Sequence, residues 1–150
     1  MKYYLANKIE SSYYTVLIDT DLLYNSLQKS DDVDRLISEL SDEPRSEWIV
    51  KGEALNIFYI PLIKINGNEE IKVVDGRHRI CWMKLKGMTE IPIAISEDNM
   101  NCLIAKGINY TAIINFEMPC NVIPKPLQQD IPNGYELVKK LVSRAKVIKN

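Results

Sequence analysis

The sequence has little of several residue types that mark well-known protein classes. It has one histidine, and its three cysteines (Cys81, Cys102 and Cys120) form no CxxC pair, which argues against a His-based metal centre and a zinc or redox motif. No segment approaches the roughly 18 continuous apolar residues of a membrane span, and the first apolar patch is too short for a signal-peptide core. We therefore expect a cytoplasmic chain with buried, reduced thiols, no metal site and no membrane span.

An excess of charge of one sign is also absent. Nineteen basic and twenty acidic side chains give a formal net charge of -1, so the chain lacks the overall positive field of a dedicated nucleic-acid binder. Any site for a polyanion must therefore be local. With 150 residues and 46% hydrophobic content, the chain is expected to form one domain, over residues 1–150, that buries roughly 70% of its unfolded surface.

Alternating strand-like and helix-like patterns predict an α+β fold, with a small mixed sheet flanked by helices. Asp19 or Thr20 and then Ser30 and Ser96 are suitable N-caps, and Gly87 is placed to end a helix. Asn66 and Gly67 predict a hairpin turn. The predicted strands are 12–19, 54–67 with an interruption at Pro61, 69–75, 89–95 and 109–118; the predicted helices are 20–29, 30–40, 77–86, 96–107 and a basic C-terminal helix at 135–150.

The stretch "DGRHR", Asp75 to Arg79, lies between a predicted strand and a predicted helix. Gly76 would let the backbone approach a ligand, and Arg77, His78 and Arg79 would add donors beside the unpaired amides of the helix start, which together make a phosphate cradle. The alternative is that Asp75 caps the helix while the arginines form surface ion pairs. Basic residues in a first turn oppose the macrodipole, which favours an anion site. We expect the side chains of His78 and Arg79 to point to solvent or ligand.

A family resemblance extends this interpretation. The strand, "DGRHR", the amphipathic helix, Gly87 and "IPIAI" resemble the signature of the ParB/sulfiredoxin-like superfamily, specifically over 71–95. "VLIDTDLLYNSLQ", the Trp48 region and "YIPLIKING" look most like the plasmid fertility-inhibition factors. Members of that group block conjugative DNA transfer and are credited with ATPase and DNase activity. The resemblance implies a protein of a mobile element.

The resemblance also implies roles for individual residues. Gly76, His78 and Arg79 become the contacts to ATP or another nucleotide, Arg77 is auxiliary, and Asp75 orients the turn or helps to bind Mg²⁺. The implied partners are the nucleotide and either DNA or a conjugation-system protein. Sulfiredoxins need a cysteine immediately before the His-Arg pair, and because Arg77 stands there, sulfinic-acid reduction is not expected.

The sequence leaves the chemistry open between an ATPase or nuclease and two alternatives. One alternative is a non-catalytic binding or inhibitor module of the same fold. The other is a nucleotide-dependent small-molecule kinase of the free-serine type, which has a similar Asp-Gly-x-His-Arg turn. No separate catalytic acid is identified by the pattern, and the acids available are Asp75, Glu10, Glu69 and Glu70.

Overall fold

The computed structural model describes residues 1–68, 70–122, 124 and 144–146. Within them it confirms the α+β class, with four α-helices and with strands in two mixed sheets. The helices are α1 (Thr20–Ser30), α2 (Val33–Ser38), α3 (Arg77–Leu85) and α4 (Glu97–Ala105), with a 3-10 turn at Ser46–Trp48. The strands are β1 (Lys2–Ala6), β2 (Tyr13–Asp19), β3 (Ile49–Val50), β4 (Asn56–Tyr59), β5 (Leu62–Ile65), β6 (Ile71–Asp75), β7 (Glu90–Ile95), β8 (Thr111–Ala112), β9 (Asn115–Glu117) and β10 (Ala145–Lys146).

The two sheets are joined at the predicted interruption around Pro61. The first sheet has the order β3-β4-β1-β9, and the second has the order β10-β2-β7-β5-β6, with β8 also paired to β2. The chain leaves the first sheet after β4 and enters the second at β5. Pro61 lies at this passage, where its missing N–H costs neither sheet a ladder hydrogen bond. The passage matters for the site because it runs beneath the start of α3.

The predicted hairpin is confirmed between β5 and β6, which pair antiparallel. The Asn66 side chain accepts hydrogen bonds from the amides of Asn68 and Glu70 and so fixes the turn. β7 pairs parallel with β5 on its other side, so β6 and β7 run in opposite directions. The link through α3 is therefore not a parallel crossover, and its short length is no obstacle.

An aromatic cluster fixes α3 against the first sheet. Trp82 of α3 packs against Trp48 with ring centroids 6.1 Å apart and against Phe58 of β4 at 6.3 Å. The indole N–H of Trp82 donates to the carbonyl of Asp42 at 3.2 Å, so its one polar atom is satisfied. Because Trp82 lies less than one turn beyond Arg79, this packing also sets the position of the DGRHR turn.

Several predicted boundaries are wrong in detail. Ser30 ends α1, and Asp32 caps α2 by accepting from the amide of Arg35. The single strand predicted at 109–118 is two short strands, β8 and β9, which pair in different sheets. Most of the predicted C-terminal helix lies outside the described residues, and the part at Ala145–Lys146 is a strand. Among the described helices none has both the length and the apolar character needed to cross a bilayer.

Candidate functional site

The start of α3 opens onto a cleft of about 420 Å³. The cleft lies between the DGRHR turn, the end of α1, the outer face of α2 and the 3-10 turn. Five of its lining side chains are lysine or arginine and three are carboxylates, which leaves an excess of two positive charges before His78 is counted. The lining residues are Lys8, Asp31, Arg35, Leu36, Arg45, Glu47, Trp48, Tyr59, Asp75, Gly76, Arg77, His78 and Arg79.

The N-terminus of α3 carries no side-chain cap. Gly76 is the N-cap residue, in the left-handed conformation with φ 95°, and no acidic residue occupies the first turn. The amides of Arg77, His78 and Arg79 have no carbonyl partner within the helix, as in any helix start. The alternative prediction, that Asp75 caps this helix, is wrong. The positive end of the helix dipole is thus turned toward a cleft that is already rich in cations.

Arg79 is buried and forms an ion pair with the partly exposed Asp75. Arg79 is only 6% exposed, and its guanidinium donates to the carbonyl of Tyr59 at 2.9 Å and to Asp75 Oδ2 at 2.6 Å. A longer contact, 3.5 Å, joins it to the carbonyl of Ile60. The expectation that the Arg79 side chain points to solvent is therefore wrong. Arg79 ties α3 to backbone carbonyls of the passage between the two sheets.

Gly76 is required by the protein's own packing. A Cβ atom at this position would lie 2.8 Å from both Cα and Cβ of Pro61 and 3.0 Å from the Arg79 guanidinium. Its positive φ also disfavours any side chain. The sequence predicted that a ligand approaches the backbone at Gly76. The group that approaches Gly76 in the structure is Pro61.

Arg77 is the residue of the motif that is free to meet a ligand. Its side chain is 44% exposed at the rim of the cleft, and its Nε lies 3.1 Å from Asp31 Oδ1 at the end of α1. The contact uses one of the five N–H groups of the guanidinium. Arg77 therefore has donors left for a second anion, directly beside the uncapped amides.

His78 is held by a carboxylate that the sequence did not suggest. Its Nε2 lies 2.8 Å from Glu39 Oε2, and because an ionised carboxylate only accepts, Nε2 is the donor. Hydrogen bonding from His78, aided by the charges of Arg35 and Arg45, lowers the pKa of Glu39, so this carboxyl is ionised at neutral pH. His78 lies at the cleft as predicted, with its donor already engaged.

Arg35 and Arg45 complete the basic rim. Arg35 of α2 lies 4.0 Å from Glu39, and Arg45 lies 3.9 Å from Glu47 while its guanidinium covers the ring of Trp48 at 5.8 Å. The sequence interpretation missed both because nothing local distinguishes them from surface arginines. The one available signal was Trp48, whose prediction as an aromatic anchor correctly placed this segment against the core.

The far wall of the cleft is formed by Tyr59 and Lys8. The Lys8 ammonium lies 5.0 Å from the centre of the Tyr59 ring. Burial raises the pKa of Tyr59, so its hydroxyl stays protonated and can donate. This wall adds one mobile cation and one neutral donor to the rim arginines.

The acids of the site do not form a metal centre. Across the part of the chain that the structure describes, no three His, Cys, Asp or Glu side chains come together in a way that could hold a metal ion. The cleft carboxylates, Asp31, Glu47 and Asp75, are each in an ion pair with an arginine. Glu10 and Glu70 do not line the cleft, and Glu69 lies outside the described residues. The Asp75 carboxylate is engaged by Arg79, and its predicted Mg²⁺ role stays a prediction.

Cys81 follows the motif but is not a reactive thiol. It is fully buried on α3, and burial, aided by the charge of Asp31, raises its pKa to about 11. A thiol of this kind is almost entirely protonated at neutral pH and makes a poor nucleophile. The predicted burial of all three cysteines is confirmed for Cys81 only, since Cys102 is exposed and Cys120 is partly buried.

We expect iodoacetamide at pH 8 to alkylate Cys102 quickly and to leave Cys81 unmodified in the folded protein. Exposure of Cys102 favours the first reaction, whereas burial and the raised pKa of Cys81 oppose the second. Peptide mass spectrometry after timed labelling measures both rates, and labelling in urea gives the reference in which all three cysteines react. Equal rates at the two residues would contradict the described burial of α3.

A second groove, of about 610 Å³, lies beside the first strand and is larger than the cleft. Its described lining carries two carboxylates, Glu90 and Glu117, and no lysine, arginine or histidine side chain. It therefore offers no cluster of side chains for binding a charged ligand, and the smaller cleft is the candidate site.

Comparison of the chain with protein-family models, with curated proteins and with solved structures gives no match. The resemblance to the ParB/sulfiredoxin-like superfamily therefore stays a prediction. The function is therefore proposed from the geometry of the cleft.

Proposed function

We propose that this protein binds the phosphate groups of a nucleotide in the cleft at the start of α3. The observation that carries the proposal is the meeting of an uncapped helix N-terminus with the exposed guanidinium of Arg77 at the rim of a basic cleft. Amides at a helix start and an arginine fork are the two groups that proteins most often use for phosphate. Arg35, Arg45 and Lys8 supply further positive charge.

The size of the cleft favours a nucleotide over inorganic phosphate. A volume of about 420 Å³ falls within the range of roughly 300–1,000 Å³ that is usual for small-molecule sites. The rim arginines are paired with carboxylates, but these pairs are at least partly solvent-exposed and add little stability. A phosphate group, with more charge and more acceptor oxygens, can replace such a partner.

Binding without turnover is the second part of the proposal. Asp75, the acid predicted to orient the turn or to help bind Mg²⁺, is paired with Arg79 at 2.6 Å, so one of its carboxylate oxygens is already engaged. This favours the non-catalytic binding module over an ATPase, a nuclease or a serine-type kinase. The setting, a mobile-element protein that acts on conjugative DNA transfer with DNA or a conjugation protein as partner, is proposed from the resemblance alone.

We expect calorimetric titration with ATP, ADP and CTP, each with and without Mg²⁺, to detect binding that Arg77→Ala weakens about tenfold or more. The reason is the loss of a charged hydrogen-bond donor, which is worth about 1.5–3 kcal/mol. Lys64→Ala, which removes an equal charge from an exposed position on β5 outside the cleft, is the matched control and should change Kd less than twofold. A phosphate-release assay on the same samples should give no turnover.

Wild-type protein that binds none of these nucleotides, or Arg77→Ala protein that binds as wild type, would contradict the proposed site. Binding of single-stranded DNA in place of nucleotides, with a steep loss of affinity as salt rises, would change the ligand class to a nucleic-acid backbone. Release of phosphate by the wild-type protein would overturn the absence of turnover.

A further inference from the structure

The Glu39 side chain lies among basic residues from three chain segments, α2, the loop after it and α3. Its carboxylate accepts from His78 Nε2 at 2.8 Å and lies 4.0 Å from Arg35 Nε. Arg45 donates to the Glu39 backbone carbonyl at 3.3 Å, which holds a second guanidinium at the same residue. His78, Arg35 and Arg45 all line the cleft. The two arginines are thus groups proposed above to face the ligand, and His78 lies at the same cleft.

The Glu39 side chain has no comparable role in the fold. Glu39 ends α2 through its backbone, whose N–H donates to the carbonyl of Leu36 at 3.3 Å whatever the side chain is. The side chain is 44% exposed, and ion pairs with that exposure add little stability. A carboxylate that gives little to the fold and engages His78 and Arg35 is placed as an anion would be.

We propose that the Glu39 carboxylate is a built-in competitor of the ligand, which holds His78 in the free protein and must leave before a phosphate group can take its place. This inference rests on the proposed function. A phosphate carries about twice the charge of a carboxylate and more acceptor oxygens, so it can displace Glu39. Because the same contacts must break for any anion that takes this place, Glu39 lowers the affinity of the cleft for all such anions.

Glu39→Gln tests this competition because it keeps the size of the side chain and removes its charge. We expect its Kd for ATP to be about five- to tenfold tighter than that of wild type, which is the effect of removing one or two exposed ion pairs from the competition. Asp34→Asn removes the same charge from the first turn of α2, outside the cleft lining, and is the matched control. Its Kd should stay within twofold of wild type.

A double-mutant cycle with His78→Ala separates the specific contact from a general change of charge. In the His78→Ala background, the fold-decrease in the Kd for ATP caused by Glu39→Gln should be less than half of the fold-decrease that the same substitution causes in wild type. An undiminished gain there, or equal gains from Glu39→Gln and Asp34→Asn, would overturn the competitor role. Wild-type binding that Glu39→Gln leaves unchanged would overturn this inference alone, whereas no ATP binding by either protein would overturn the proposed function itself.

Discussion

Replacing Arg79 by methionine should lower the free energy of unfolding by about 3 kcal/mol, a large fraction of the stability of a domain of this size. Methionine keeps the length of the side chain but removes the donors to Tyr59, Ile60 and Asp75. The loss leaves a carboxylate and two carbonyls without that partner. The value is at the low end for a buried ion pair because Asp75 is 31% exposed and can be partly solvated.

Urea denaturation of Arg79→Met and Arg77→Met measures this difference. Arg77 lies two residues earlier in the same helical turn and pairs with Asp31, but its side chain is 44% exposed, so its replacement should cost less than about 1 kcal/mol. Equal losses from the two variants would contradict the division of the motif into an interior arginine and a rim arginine.

Gly76→Ala should destabilise the protein by about 2–5 kcal/mol. A left-handed conformation costs an alanine about 1–2 kcal/mol, and forcing a methyl group into a packed contact adds about 1–3 kcal/mol. The contact here is with the backbone of Pro61 at 2.8 Å, which cannot move away as a flexible side chain could. Because Pro61 joins the two sheets, the strain would be transmitted to both.

Gly87→Ala is the control for the Gly76 prediction. Gly87 also has a positive φ, 80°, but a Cβ atom there would meet nothing within 4 Å. It should therefore show the conformational cost alone, about 1–2 kcal/mol. Thermal or urea unfolding of the two variants gives the difference. If Gly87→Ala is as destabilising as Gly76→Ala, the close approach of Pro61 to the motif is not present in the folded protein.

Local features of the fold could be predicted from the sequence because they depend on neighbouring residues. Asp19 and Ser96 cap α1 and α4 as expected, each accepting from an amide three residues later. The turn at Asn66 and the end of α3 near Gly87 were predicted on the same basis. The prediction of Ser30 as the N-cap of α2 was wrong. Three polar residues in succession, 30–32, can each cap a helix, and the packing of α1 decides which one does.

The roles within DGRHR could not be assigned from the sequence. A strand, a turn and a helix were predicted correctly, but the partners of Gly76 and Arg79 come from Pro61 and Tyr59, which strand pairing brings beneath the turn. Glycine and arginine can serve a ligand or an interior contact equally well. Only the tertiary fold decides between these uses, and here Gly76 packs against Pro61 and Arg79 is buried.

The rest of the rim was missed for a related reason. Arg35, Glu39 and Arg45 belong to α2 and to the loop after it, and they reach the cleft only because α2 packs beside α3. In the sequence they are ordinary charged residues of an exposed helix face. The predicted phosphate site therefore included Arg77, His78 and Arg79 but none of the cleft cations from outside the motif, which are Lys8, Arg35 and Arg45.

A crystal structure of the protein grown with ATP tests the central claim most directly. We expect a phosphate group within hydrogen-bonding distance of the amides of Arg77 and His78, with the Arg77 guanidinium on the same phosphate and Glu39 turned away from His78. Arg79 should remain in its contacts with Tyr59 and Asp75. Nucleotide bound elsewhere in the crystal, or a cleft that stays empty at saturating ATP, would contradict the account.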